Sequence, residues 1–392
     1  GFLAGLAALA RNDGVLLAGA VGLVWLGDRV RWWRARRGGR GWTHVEDRQP
    51  ISILAGVLAL AGFFLVMGPW WARQLLTFGS VSPTSSSGAA LWITNIHQWN
   101  SITANPSFSK WLAQGIPQIV ANDLGGLASA LGNFVVFICS IVLLPFLLLG
   151  ALARRRSLDF QPWFVYTFVA FAGATFLYPL HVPGGAFIHT AIGLGPHAAI
   201  LSIEGVVLLA GGLRRRSRPT GPAGDRASAF LTWGIVVIVA VSAIGFAQGV
   251  EAGWNAVRAP RVALAAYLAA PGPDGQPNEN NCRAVSRDPA TSPPRVMSID
   301  AGGIKYFTGL PGVVTPDDPI ETIQSVAQAY DVCWLVVERD DAAQALGPVL
   351  RGVRPSWIGA PVFSVPAADG GLPTLALYPV CTTAADLRCA GG

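Results

Sequence analysis

This sequence predicts a mainly α-helical polytopic membrane domain followed by a small α/β extracytoplasmic domain, on three observations. Of 392 residues, 52% are hydrophobic and 13% charged, with a mean hydropathy of +0.45; a soluble domain carries about twice that charge. Apolar windows of about 20 residues, enough to cross the hydrocarbon core as a helix, recur through residues 1–250. From residue 251 the composition becomes that of a water-soluble domain, and strand and helix patterns alternate to 392.

In the first part, spans are expected at 51–69, 132–153, 160–180, 193–213 and 228–249, with a shorter one at 14–27. Residues 1–10 read as the end of a further span. The chain opens inside an apolar run without an initiator Met, which reads as the C-terminal part of a longer protein. Charge fixes an expected orientation. Residues 1–250 hold 18 Arg and Lys against 8 Asp and Glu, while 251–392 hold 10 against 14. Fifteen of the 18 cations fall in three loops, 28–50, 154–156 and 214–226, which the positive-inside rule places in the cytoplasm. The other loops and the C-terminal domain are then outside a bacterial plasma membrane. A basic excess confined to membrane loops gives no support to nucleic-acid binding.

The outer loop at 70–131 is rich in aromatic residues. Its first part, together with Pro69, carries Trp70, Trp71, Trp92 and Trp99 with Arg73 as the one cation, the pattern of an ordered segment at a membrane surface. Short interfacial helices are expected beyond residue 100. After the Pro- and Asn-rich stretch PGPDGQPNENN, strands are expected at 295–299, 312–314, 332–338, 361–365 and 374–380, with helices near 303–308, 320–330 and 341–352, making a largely parallel sheet.

Few residues could carry chemistry. No GxSxG, HExxH or SxxK signature is present, and no Cys/His spacing suggests a metal. Arg11 and Arg73 stand at the outer ends of apolar segments, where a guanidinium either anchors a helix to lipid headgroups or forks onto a lipid-linked phosphate. His97, His181, His189 and His197 fall on the outer side, suited to sugar hydroxyls or to structural hydrogen bonds. Glu204 lies inside a span, where a carboxyl group either faces a watery cavity or bonds to a neighbouring helix. Asp13 and Asp123 are the outer carboxylates of the membrane domain. Cys381 and Cys389 flank a short loop that could close a disulfide in an oxidising compartment.

The order of several segments resembles the GT-C-fold bacterial membrane glycosyltransferases, the group holding protein O-mannosyltransferases and aminoarabinose transferases. The segments are LAGLAALARNDGVLL, GPWWARQLLTFGSVSP, FIHTAIGLGPHAAILSIEG, and the run from Val296 through TGLPGVVTPDDPIETIQSVAQAYDVCWLVVE. The resemblance implies an inverting enzyme that transfers a sugar from a polyprenyl-phosphate donor to an extracytoplasmic acceptor, without cofactor or metal. It implies donor-phosphate binding by Arg11 and Arg73, and substrate contacts from Asn12, Asp13 and His189, beside which Glu204 stands as a possible substrate contact from its place in a span. The catalytic Asp or Glu of that group belongs to an outer loop expected before Gly1, so the chain is expected to be inactive alone. Two other readings stand beside it: a transporter or flippase using an intramembrane carboxylate, and a membrane-anchored binding module.

Overall fold

The structure is a computed structural model that describes residues 1–11, 14–37, 49–81, 90–183, 186–216, 222–272, 275–279 and 294–381. Asn12, Asp13, His44, Cys282 and Cys389 lie outside the described residues. The chain is a membrane protein: five helical stretches are long and apolar enough to cross a bilayer, at Ile53–Phe78, Ile116–Ile138, Leu158–Leu177, Phe187–Gly212 and Trp233–Ala269. It divides into two compact units, one of Gly1–Thr94 and Ser107–Gly245, the other of Asn95–Pro106 and Phe246–Gly392.

In the first unit, α1 (Phe2–Ala10) and α3 (Ile53–Phe78) pack side by side, with Ala8 buried against Phe63 and Met67. Between them in sequence, α2 (Val15–Arg36) runs well past the expected 14–27. The first half of the basic 28–50 stretch is therefore helical, and Arg36 and Arg37 lie over the rings of Trp32 and Trp33 at 4.1 and 3.7 Å. Asp28 is buried there and accepts the Ile51 N–H at 3.0 Å. Helix α3 likewise outruns its expected end. It continues through Pro69 to Phe78, and Gly79 closes it in the left-handed conformation with φ 67°. The PWWARQLLTF segment is thus helix rather than surface loop.

The expected span at 132–153 is displaced. The long apolar helix starts earlier, as α5 (Ile116–Asn133) after the short α4 (Phe108–Ala113), and continues through a π-turn at Phe134–Ile138. Ser140 and Ile141 then adopt φ of 46° and 60°. A left-handed β-branched residue costs on the order of 1–3 kcal/mol and breaks a helix, and hydropathy does not register it. After this break, α6 (Leu144–Arg154) packs on α9 (Gly195–Arg216). Their backbones touch: a Cβ on Gly205 would lie 1.9 Å from the Phe146 carbonyl oxygen. Close approach through small residues is how helices associate in lipid, where no hydrophobic drive separates helix from solvent. Helix α7 (Gln161–Ala172) and the short α8 (Ala186–Ala191) complete this core, with Trp163, Tyr166, Phe187, Leu194 and Leu201 buried in it.

Helix α10 (Pro222–Ala269) is 48 residues long. About 20 residues suffice to span a bilayer, so the helix has length to spare, and its last turns bury Leu264 and Leu268 in the core of the second unit. The sheet of that unit is mixed rather than largely parallel. Its order is β2 (Gly312–Val314), β1 (Arg295–Ser298), β3 (Val332–Glu338), β5 (Leu375–Pro379), β4 (Phe363–Val365). The pairs β1–β2 and β1–β3 are parallel; β3–β5 and β4–β5 are antiparallel. One buried cluster joins the end of α10 to Ile304 of α11 (Ala301–Thr308) and the sheet residues Val296, Trp334 and Val336. Another joins Ile323 and Ala327 of α12 (Ile320–Ala329) to Met297, Leu335 and Val337. Alternation along β1 and β3 explains the two clusters, since successive side chains point to opposite faces. The helix expected at 341–352 is reduced to a 3-10 turn and α13 (Gly347–Leu350), because Pro348 sits where a longer helix would need its N–H.

One charged cluster fastens α10 to the sheet. Arg261 donates from Nε and Nη2 to the two Glu338 oxygens at 2.7 and 3.0 Å, and from Nη1 to Asp300 at 2.6 Å. Both Arg261 and Glu338 are buried. Removing one partner of a buried pair costs about 3–5 kcal/mol, so Glu338→Ala is expected to lower the unfolding free energy of the second unit by about that amount, read from denaturant melts of its tryptophan fluorescence. Burial alone would raise the pKa of Asp300, but the Gly303 N–H and the Arg261 guanidinium outweigh it and hold the carboxyl below its ordinary range. A lowered carboxylate pKa adds stability above the unfolded value, about 3.9, and loses it as pH falls through the folded value. The melting temperature of this unit is therefore expected to hold at neutral pH and to fall in acid. Asp300→Asn should make the acid loss smaller.

Candidate functional site

The site that the first unit offers is a narrow crevice of about 10 Å³, room for about one water molecule, partly open to solvent and lined by residues from four separate stretches. Asn122 and Asp123 come from α5, Trp111 from α4, and Tyr178 and His181 from the turn after α7, with Leu91 and Ile93 closing one side. Each side chain has a local reason for its place. Helix α7 ends in a π-turn at Gly173–Leu177, where the Tyr178 N–H reaches back to the Gly173 carbonyl at 2.9 Å. Such single-turn wide loops re-aim a chain at functional sites. The 3-10 turn Pro179–His181 then rests on α5, and Gly126 makes this possible: a Cβ there would lie 2.8 Å from Pro179. Asp123 stands about one turn before that contact.

The chemistry of the lining is mixed. Among the described residues no donor pairs with the Asp123 carboxylate, which is half-buried. The neighbouring Asn122 accepts from Gln118 Nε2 at 3.0 Å. Burial pushes the pKa of His181 below its ordinary value, so the imidazole is neutral at physiological pH. Trp111 of the lining belongs to an aromatic group: Trp92 meets Phe108 and Trp111 edge-on at 5.1 and 5.9 Å, and Phe108 and Trp111 stack at 5.8 Å. An indole face, a carboxylate, a carboxamide and an imidazole are groups that pack on C–H faces and bond to hydroxyls, and the free space among them holds about one water molecule.

The residues singled out in the sequence are placed differently. Arg73 is exposed on α3, its guanidinium 5.4 Å from the Trp70 ring centroid. Arg11 is exposed just beyond α1, where the chain leaves the helix in an extended conformation. His189 is exposed in the last turn of α8, and His197 meets the Phe160 ring edge at 6.0 Å. None of Arg11, Arg73, His189 and Glu204 lines the crevice. Glu204 is paired: Arg154 donates from Nε and Nη2 to its two oxygens, each at 2.7 Å. The sequence reading left open a cavity-facing carboxyl or one bonded to a neighbouring helix, and the second is what the structure shows. His97 is engaged in the second unit, its Nδ1 2.5 Å from Asp317. Cys381 is disulfide-bonded, as is Cys333; Cys389, proposed as the partner of Cys381, lies outside the described residues.

The crevice residues were largely hidden from sequence reasoning. Asp123 and His181 stood out as outer polar groups, but nothing in their spacing connected them with Trp111 or Tyr178, since the stretches meet only in three dimensions. Among the described residues no group of three or more His, Cys, Asp and Glu side chains could hold a metal ion. No protein-family model matches the chain, and no curated protein does either.

The fork between Arg154 and Glu204 joins α6 to α9 and leaves the crevice untouched. Glu204→Gln is therefore expected to lower thermal stability of the detergent-solubilised protein while leaving ligand binding in the crevice at its parent value. The charge-swapped double variant, R154E with E204R, should recover part of the lost stability in a thermal-shift measurement.

Proposed function

We propose that this protein is an integral-membrane glycosyltransferase that moves a sugar from a polyprenyl-phosphate donor to an extracytoplasmic acceptor, with the polar and aromatic residues around the crevice contacting the sugar. The observation that carries the proposal is the Asp123 carboxylate, which among the described residues has no paired donor and lines one crevice with Asn122, His181, Tyr178 and Trp111. The resemblance of the segment order to GT-C-fold enzymes agrees with it. The reaction breaks the bond from the anomeric carbon to the phosphate oxygen and forms one to an acceptor hydroxyl, whose proton must leave as it attacks. Phosphate departs with its charge, and a forked cation is the group suited to receive it. In this reading Asp123 holds sugar hydroxyls, and Arg73 and Arg11 serve the phosphate.

The orientation proposed puts the basic loops in the cytoplasm and the second unit outside. Its disulfide-bonded Cys333 and Cys381 support this, since such bonds persist in oxidising compartments. The transporter reading drew on Pro-interrupted spans and an intramembrane carboxylate at Glu204, and that carboxylate is paired with Arg154.

Two measurements test the proposal. In the full-length protein reconstituted with a polyprenyl-phosphate sugar, Asp123→Asn should raise KM about tenfold, the worth of one hydrogen bond to a charged group. Arg73→Ala should lower turnover without preventing membrane insertion. Wild-type kinetics in both variants would overturn the site assignment. For orientation, cysteines replacing Ser109 and Asp340 should react with an impermeant thiol reagent added outside cells, and one replacing Arg156 should not.

A further inference from the structure

The sheet of the second unit borders, along β2, a groove of about 450 Å³, a size within the ~300–1,000 Å³ of ligand sites. Every residue that lines it belongs to that unit. All three residues of β2 take part, and among the described residues no strand pairs with β2 on the side away from β1. The Pro311 carbonyl accepts the Val296 N–H at 2.9 Å, and the Thr315 N–H donates to the Ser298 carbonyl at 3.0 Å. A strand bonds to one neighbour through every second residue, so Pro311, Val313 and Thr315 face β1. The N–H and C=O groups of Gly312 and Val314 therefore point away from the sheet. Val313 packs on the face covered by α12, and Val326 and Tyr330, at the end of that helix, extend the apolar lining. Ile102 adds to it, placed by its N–H on Asp318 at 2.7 Å. Ile102, Val314 and Tyr330 are each more than half exposed.

We propose that this edge docks a short, extended, acidic segment of a partner protein, which joins the sheet as a sixth strand. The outward main-chain groups at two alternate residues are the template that strand addition uses, and neighbouring pockets select alternate side chains of the guest. Strand β2 bears no charge to repel a partner strand. Pro311 and Pro316 bracket it, so pairing stops at the three residues of β2 and the guest is short. The charge of the guest is set by Arg295, the one charged side chain of the lining. Its Nη1 donates to the Tyr330 carbonyl at 2.7 Å, which fixes the guanidinium beside the apolar lining, and among the described residues no carboxylate pairs with it. Its other N–H groups suit a carboxylate. A guest strand thus bonds to Gly312 and Val314, seats an apolar side chain near Ile102, Val326 and Tyr330, and brings an acidic one to Arg295. This docking edge lies wholly within the second unit and stands apart from the sugar-site reading of the first.

The test presents the full chain, in lipid nanodiscs, to an array of immobilised acetylated peptides of about eight residues, in which apolar and polar residues alternate. One position carries glutamate, glutamine or lysine. Glutamate members should retain the protein about tenfold more strongly than lysine members, the worth of one hydrogen bond to a charged group. Arg295→Gln should remove that preference, and Arg339→Gln, at a cation outside the groove, should leave it intact. Val314→Pro deletes an N–H that faces outward, a change an edge strand tolerates, and should weaken retention of every member about fivefold, as one main-chain hydrogen bond would. The tryptophan-fluorescence melt of the second unit checks that each variant is folded. N-methylation of the best-retained peptide at alternate residues, which removes its own donors and leaves the protein untouched, should abolish its retention. Retention of no member, equal retention of glutamate and lysine members, or indifference to N-methylation overturns the proposal. So does a dimer of the full chain that Val314→Pro dissolves in mass photometry, since the edge then belongs to a second copy.

Discussion

The second unit depends on one buried ion cluster, Arg261 with Glu338 and Asp300. Glu338 ends the central strand β3, and Asp300 follows β1, so both carboxylates stand beyond the carboxyl ends of two adjacent parallel strands. That is where open α/β sheets place their ligands, at the point where successive connections leave in opposite directions. Strand β1 leads outward to β2, and the chain then crosses back to β3 on the other side of β1, which makes the β1–β3 boundary such a switch point. Here the crevice is filled by a guanidinium from α10, and its donors satisfy both carboxylates. The cluster explains why a DAGG loop at Asp300–Gly303 need not signal a phosphate site: Asp300 caps α11 through the Gly303 N–H and binds Arg261. A domain that spends its switch point on an arginine is built to be held, and reactive chemistry is more economically sought elsewhere in the chain.

Elsewhere means the first unit, where polar groups are scarce enough that their pairings can be followed one by one. Arg154 is committed to Glu204, and Arg31 to Gln161 at 2.5 Å. These bonds join helices, the use to which polar groups inside a membrane are put when they are not in a ligand path. Among the described residues Asp123 has no such commitment, and it lines a crevice together with Trp111, Phe176 and Tyr178. The contrast between Glu204 and Asp123 is one that residue type cannot express. Both are isolated carboxylates in apolar helices, and only the neighbouring helix decides which of them is satisfied.

Much of the second unit was legible in the sequence because its signals are local. The run VCWLVVE reads as a fully buried strand, and all seven of its residues are buried. The amphipathic repeat of IETIQSVAQAY gives α12 with Ile323 and Ala327 facing inward. Strand direction was not legible, since the turn from β3 toward β5 is decided by which long-range pairing wins, and the mixed sheet follows from that. In the membrane part, hydropathy found the apolar mass but misplaced its boundaries. It stopped α3 at Pro69, although a proline deep in a lipid helix is tolerated when the freed carbonyl finds another partner. It also ran 132–153 together across Ser140 and Ile141, whose left-handed backbone leaves no mark on composition. The crevice was the least legible element, because its lining is drawn from residues 90 to 181 and no two of its four stretches share a periodicity.

The extension of α3 through Pro69 changes what Arg73 can do. In a surface loop its guanidinium would swing freely and spend its charge on whatever headgroup was nearest. On a helix its direction is fixed, one turn from Trp70, and the ring face lies 5.4 Å from the guanidinium carbon. A cation resting on an indole sheds part of its hydration without losing charge or its fork of donors. That lowers what must be stripped away when a phosphate arrives, and a rigid helix removes the entropy of searching for it. Four residues on, the side chain would point the same way, but Thr77 carries no charge. The aromatic stretch therefore divides by structure: its first half is helical and carries Trp70 and Arg73, while Trp92 in its second half packs edge-on against Phe108 and Trp111.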